Sequence, residues 1–179
     1  MKRTVLVFGL FAGLIVATTM GIFMAICYKD PASSMGTGSM IIGFLSMIIA
    51  FSLIYVGVKN YRDKELGGTI SFGKAFKMGL LIALVASTIY VITWAVVYTY
   101  AMPDFMDIYS AEMVKQAAQE SAAAAQAKAD EMAKYKEMYK NPVLFVLFTY
   151  MEILPLGILI SLITALILKR KRAEPSMAV

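Results

Sequence analysis

Four long apolar runs, Thr4–Tyr28, Met40–Val58, Met78–Ala101 and Val143–Leu168, constrain this chain more than any other feature, and the only charged-type side chain within them is Glu152. Each run is long enough to cross a hydrocarbon core of roughly 30 Å as a helix rising about 1.5 Å per residue. Of the 179 residues, 60 % are hydrophobic and only 16 % charged, whereas an ordinary soluble domain holds roughly 45–50 % and about 25 %. A water-soluble core cannot hide that much apolar surface, so the solvent for these runs is lipid. The expected fold is all-α: a single membrane domain over 1–179, built as a four-helix bundle with spans at about 4–28, 40–58, 78–101 and 143–168.

The first run follows Met1-Lys2-Arg3, as a secretory signal would, but it is far longer than the 7–15 apolar residues of a signal core. Cys27 suggests a lipidated cysteine, yet Ile26 stands where a small residue should precede it. With no His and a single Cys, the usual zinc, haem and Cys–His chemistries are excluded, as is an intramolecular disulfide. No cofactor is expected. The net charge of +5 does not point to nucleic acid, because the Lys and Arg residues flank the apolar runs instead of forming a basic stripe with interleaved aromatics.

Those flanking charges set an orientation, since Lys and Arg near span ends are retained in the cytoplasm. One side collects Lys2, Arg3, Lys59, Arg62, Lys64, Lys74, Lys77, Lys169, Arg170, Lys171 and Arg172. The other carries Lys29 in a short Gly- and Ser-rich connection, and a long loop, 102–142, in which acids outnumber lysines. Both termini of a multi-pass membrane protein are therefore expected in the cytoplasm. The long loop is rich in Ala, Glu, Gln, Lys and Met, all good helix formers. It should be a helical extracytoplasmic segment with a break near Gln119–Ser121, and Met132, Tyr135 and Tyr139 share one face that could dock on the bundle. Asn141-Pro142 reads as N-cap and first helical residue of the fourth span.

Small residues recur at every fourth position: Gly9, Gly13, Ala17, Gly21 and Ala25 in the first span, Gly79, Ala83 and Ser87 in the third, Gly157, Ser161 and Ala165 in the fourth. Such stripes let helix backbones approach closely where lipid offers no hydrophobic drive for association. They predict a compact bundle, with homodimerisation as the lesser alternative. A duplication suggested by Val16-Ala17-Thr18-Thr19 and Val85-Ala86-Ser87-Thr88 fails, because in that register the small stripes fall out of phase.

Gly68-Thr69-Ile70-Ser71-Phe72-Gly73-Lys74-Ala75 approaches a phosphate-binding loop but lacks the Ser or Thr that holds magnesium, and no strand precedes it. Ser71-Phe72-Gly73-Lys74 imitates a serine–lysine catalytic pair without its supporting motifs. A structural reading fits better: a turn at Gly67-Gly68, Ser71 as N-cap, and Lys74 and Lys77 reaching lipid headgroups. The same stretch, with Gly57-Val58-Lys59-Asn60-Tyr61-Arg62-Asp63-Lys64 before it and Tyr150-Met151-Glu152-Ile153-Leu154-Pro155 later, resembles the bacterial domain-of-unknown-function family 4199. The resemblance runs from Lys2 to about Lys171 and implies a four-span inner-membrane protein with no established activity.

Glu152 lies about 14 Å below Val143 at about 1.5 Å per residue, near the middle of the bilayer. A bare carboxylate there costs on the order of 3 kcal/mol, so the group is expected to be protonated, hydrogen-bonded or facing a wet cavity. Candidate partners are Thr18, Thr19, Ser46, Ser52, Ser87, Thr88 and Thr93, with Tyr150 on the same helix and Pro155 freeing the Met151 carbonyl as a further acceptor. Glu152 shares its face with Leu156, Leu159 and Ile163, away from Gly157, so the fourth span is expected to bury two faces. The expected function is noncatalytic association with the lipid bilayer, with a membrane-protein partner or with further copies of the chain. The alternative is a small transporter or channel component using Glu152, which would require polar groups from several spans to meet in one cavity.

Overall fold

The computed structural model describes residues 1–29 and 37–170; most of the Gly- and Ser-rich connection, the Cys27 side chain, and Lys171 and Arg172 lie outside what is described. Six helices follow in order: α1 Lys2–Lys29, α2 Thr37–Glu65, α3 Phe72–Val96, α4 Phe105–Ala118, α5 Ala122–Lys140 and α6 Pro142–Leu168. A π-helical turn, Val97–Ala101, prolongs α3. Helices α1, α2, α3 with its π turn, and α6 are long and apolar enough to cross a membrane. The fold is an all-α membrane bundle.

Helix α2 runs past its apolar stretch to Glu65, with Arg62 and Lys64 in its last turn, where cations complement the exposed carbonyls. It stops at Gly67 and Gly68, whose φ values of 64° and 86° lie in the left-handed region that side chains disfavour. There the Gly68 N–H donates to the Arg62 carbonyl at 3.0 Å, closing the helix end. Ser71 then caps α3, its hydroxyl accepting the Lys74 N–H at 3.4 Å. The long loop is a helical hairpin, α4 and α5, broken at Gln119-Glu120 and restarted by Ser121, which accepts the Ala124 N–H at 3.0 Å. Asn141 caps α6 by accepting the N–H groups of Val143 at 2.9 Å and Leu144 at 3.3 Å, with Pro142 at the first helical position.

In cross-section, α1 packs on α2 and α3, α6 packs on α3 and α2, and α2 meets α3 across the diagonal. Small residues make these approaches close. Along the antiparallel α3–α6 seam, Gly79 lies against Ser161 and Gly157 against Ala83 and Phe51. Along the α1–α3 seam, Gly9 receives Val85 and Gly13 receives Ile89. The first-span stripe stops there: Ala17 is half-buried, Ala25 is exposed, and no described atom lies within 4 Å of a Cβ built on Gly21. The structure thus brings no described neighbour against Gly21, although Met20 beside it is buried.

The departure is general. Phe51, Ile54, Val58, Met78, Ile82 and Leu168 are fully buried toward the end of the bundle that carries the Lys and Arg clusters. At the other end none of the described α1 side chains beyond Met20 is buried, and Ile41, Ile42, Phe44 and Leu45 of α2 are exposed. At the basic end, the backbones of Ile70 and Arg170 exchange hydrogen bonds of 3.2 and 2.9 Å. Nearby, Thr4 donates to Glu65 at 3.1 Å. The bundle is tight at the basic end and splayed at the hairpin end.

Candidate functional site

Where α1 and α2 part from α3 and α6 there is a cavity of about 450 Å³. Its walls are mostly apolar, with Val16, Met20 and Phe23 from α1 and Ile42 and Met47 from α2. Thr19, Ser46, Tyr90 and Glu152 contribute one polar side chain from each spanning helix, and Phe105 and Tyr109 of α4 complete the wall at the hairpin end. A large apolar pocket with a few convergent polar groups is the usual form of a ligand site.

Tyr90, only 6 % exposed, donates its phenol hydrogen to Glu152 Oε1 at 3.1 Å. Glu152 is exposed, facing the cavity. The expectation that α6 buries two faces is corrected: Leu159 and Ile163, on the face of Glu152, are 52 % and 46 % exposed. Helix α6 buries one stripe, Ile153, Gly157, Ser161, Thr164, Ala165 and Leu168, and the carboxyl is accommodated because the bundle is open at its level.

The other sequence-selected polar residues are dispersed. Thr19 and Ser46 line the cavity, but their hydroxyls donate to the carbonyls of Ile15 at 2.9 Å and Gly43 at 2.7 Å within their own helices. Such back-bonding satisfies the donor and leaves the oxygen free to accept. Thr88 donates to the Leu84 carbonyl at 2.7 Å and meets the Tyr150 phenol at 2.8 Å, so Tyr150 is the donor in that pair. Thr93 donates to Ile89 and Ser52 to Ile49 in their own helices. Thr18 is exposed and outside the cavity wall. Ser87 is fully buried, and its hydroxyl has no hydrogen-bond partner among the described residues. Pro155 is exposed, and no described side chain donates to the Met151 carbonyl it frees. Lys74 stands over the ring of Tyr61, its ammonium 5.7 Å from the centroid, rather than on the Ser71 hydroxyl that caps α3.

An aromatic cluster holds the hairpin over the cavity. Trp94 meets Phe105 edge-on at 5.0 Å, Tyr98 meets Tyr139 at 5.6 Å and Phe145 at 5.2 Å, and Tyr139 meets Phe145 at 5.3 Å. These edge-to-face and tilted contacts each add to simple area burial. Met132 is buried at 4 % exposure while Tyr135 is 37 % exposed, and Lys136 pairs with Asp107 at 2.8 Å across the hairpin. Burial first, and then the nearby Glu152 carboxyl, push the Tyr139 phenol up to about 12.

Reading the sequence overlooked Tyr90, Phe105 and Tyr109. The signal for Tyr90 was available: tyrosines of membrane helices gather at the interfaces, so a phenol in mid-span asks for an acceptor. Phe105 and Tyr109 reach the site only through the fold of the hairpin.

The family model described as Protein of unknown function (DUF4199) matches residues 7–170. The chain belongs to this family. The match takes in all four spanning helices, the hairpin and every residue of the cavity wall. No curated protein and no solved structure matches the chain. The family's description names no activity, so the roles of Glu152 and Tyr90 are argued from geometry.

Proposed function

We propose that this is a noncatalytic, multi-pass protein of the bacterial inner membrane that acts by receiving a lipid-soluble molecule in the cavity between its outer half-helices. The observation that carries this reading is the cavity itself: about 450 Å³, walled by aliphatic and aromatic side chains, with Glu152 and Tyr90 as its polar anchor. Fully buried Phe51, Ile54 and Ile82 fill the bundle toward the basic end, which suits a binding chamber open on one side better than a pore. The distribution of Lys and Arg supports placing the termini in the cytoplasm and the hairpin outside. The exposed rim residues Ile22, Ile26, Ile42 and Phe44 favour entry from lipid over entry from water.

A second reading, a transporter component, is favoured by the meeting of Thr19, Ser46, Tyr90 and Glu152 from four helices. It requires the packed half to open in another state.

Purification in mild detergent, followed by native mass measurement and lipid identification, tests the main reading. Gly43 lines the cavity, and no described atom lies within 4 Å of a Cβ built on it, so Gly43→Phe adds a ring to the wall from a position with open space at its Cβ. The wild type should retain a lipid-soluble species that Gly43→Phe lacks; the same lipid content in both would refute cavity binding. The mass also reports whether a second copy or a protein partner accompanies the chain. Movement of a solute into proteoliposomes, lost in Gly43→Phe, would favour the transporter reading.

A further inference from the structure

We propose that the molecule received by this cavity is a cationic amphiphile, an aliphatic chain bearing one positively charged nitrogen, whose head sits on Glu152 and whose chain lies along Val16, Met20 and Met47. The inference rests on the cavity-binding reading above and adds to it the charge of the occupant.

Charge complementarity is the first argument. Among the described residues Glu152 is the sole charged side chain of the wall, and neither Lys nor Arg is among those lining it. The carboxylate offers about four lone-pair sites, and the described protein fills one of them, with the Tyr90 phenol at 3.1 Å. Glu152 lines the cavity with the rest unfilled by described residues. In an environment of low dielectric an unpaired carboxylate is costly and a counter-charge at contact is strongly favourable. A neutral head would leave that charge unpaired, and an anionic head would be repelled.

The aromatic wall is the second argument. Phe105 and Tyr109 of α4 and Phe23 of α1 line the same space as the carboxylate. Ring faces attract ammonium groups, more strongly where water is excluded, and they discriminate against carboxylate and phosphate heads. Size is the third. About 450 Å³ falls within the roughly 300–1,000 Å³ typical of drug-sized ligands, far beyond what a bare metal ion needs, and the remaining wall is aliphatic. A small inorganic cation would leave that wall unoccupied.

The test uses three chain-matched probes, dodecylamine, dodecanol and dodecanoate, each brominated in mid-chain, with the full-length protein in nanodiscs of a neutral zwitterionic lipid at neutral pH. Trp94, the only tryptophan, touches Phe105 of the cavity wall and reports a bromine inside by quenching. Quenching in Gly43→Phe gives the background from probe dissolved in the bilayer. Above that background, the wild type should bind the amine at least about tenfold more tightly than the alcohol, and the carboxylate most weakly, about tenfold being the effect of 1.4 kcal/mol. Glu152→Gln should lose that preference, bringing its affinities for amine and alcohol within about twofold of each other. Equal affinity for amine and alcohol in the wild type overturns the cationic head and leaves cavity binding standing. Quenching no greater in the wild type than in Gly43→Phe, for all three probes, overturns cavity binding as well. The wild-type series decides the question even if Glu152→Gln does not fold.

Discussion

Tyr90 of α3 donates to Glu152 of α6 at 3.1 Å, and a neighbouring pair, Tyr150 of α6 and Thr88 of α3, meets at 2.8 Å. Two phenols, one from each helix, thus cross the same antiparallel seam in opposite directions. Below them the seam continues through Ala83 against Gly157 and Gly79 against Ser161. Polar bonds fix the register where the bundle is open, and close backbone approach fixes it where the bundle is closed.

Removing one partner of the Tyr90–Glu152 bond should cost more than removing both. Glu152→Gln keeps an acceptor and should fold as the wild type does. Glu152→Leu leaves a buried phenol unsatisfied and should lower stability by about 1–2 kcal/mol. In the Tyr90→Phe background the same leucine should cost less, with a coupling of roughly 0.6–1.7 kcal/mol, as for hydrogen bonds between other membrane helices. A double-mutant cycle by reversible unfolding in detergent measures this, and zero coupling would mean that the bond contributes nothing.

Two glycine-to-alanine changes should separate packing glycines from spectators. A Cβ on Gly157 would stand 2.8 Å from the Ala83 Cβ and 3.2 Å from Phe51, so Gly157→Ala pushes α6 off α3 and should cost about 1–3 kcal/mol. Gly21→Ala meets no described atom within 4 Å and should be neutral or stabilising by up to about 1 kcal/mol. Thermal denaturation of the two variants checks the order, and equal melting temperatures would contradict the seam.

Ser87 is buried, and its hydroxyl has no hydrogen-bond partner among the described residues. Ser87→Ala removes a polar atom that makes no bond, so stability should be unchanged or rise by up to about 1 kcal/mol. Lower stability in this variant would reveal a partner for the hydroxyl.

Alkaline titration should find Tyr139 among the last phenols to ionise. Its value of about 12 stands above the ordinary 10.0, with burial as the larger cause and Glu152 next. A neutral phenol favoured by the fold stabilises it fully below pH 10, and that contribution is lost as pH rises toward 12. Tyr139→Phe should therefore remove one late step from the ultraviolet titration and move alkaline unfolding to higher pH. Loss of a step near pH 10 instead would place Tyr139 in water.

For topology, reporters fused within Lys59–Lys77 should behave as cytoplasmic and those near Ala123 as external, since the former lie beside the basic clusters and the latter in the hairpin. In the intact membrane protein, external protease should cut first at the Gln119-Glu120 turn and slowly elsewhere in Ala111–Lys134. Cytoplasmic behaviour at Ala123 would reverse the orientation.

The spans, the Asn141-Pro142 and Ser71 caps and the helical hairpin were legible in the sequence because each follows from local composition: apolar length, a capping side chain, helix-forming residues. The packing of Gly9, Gly13, Gly79 and Gly157 was legible as periodicity. What remained hidden depends on tilt. Periodicity extends the first-span stripe to Gly21 as readily as to Gly13, and only the divergence of α1 from α3 separates them. The same divergence makes the cavity, turns Glu152 toward open space instead of a second helix, and brings in Phe105 and Tyr109 from a segment remote in sequence. Depth alone directed attention to small hydroxyl residues as partners of Glu152, whereas the partner is a phenol, Tyr90, reaching the carboxyl across the close α3–α6 seam.

The backbone bridge between Ile70 and Arg170 joins the start of α3 to the end of α6 at the basic end of their seam. Sliding of one helix along the other would break both of its hydrogen bonds at once. A helix of 27 residues such as α6 is roughly 40 Å long, and the contact of Tyr98 with Phe145 holds the opposite end of the same seam. Clasped at both ends, α3 and α6 form one fixed jaw, and α1 and α2 are the arms that stand away from it.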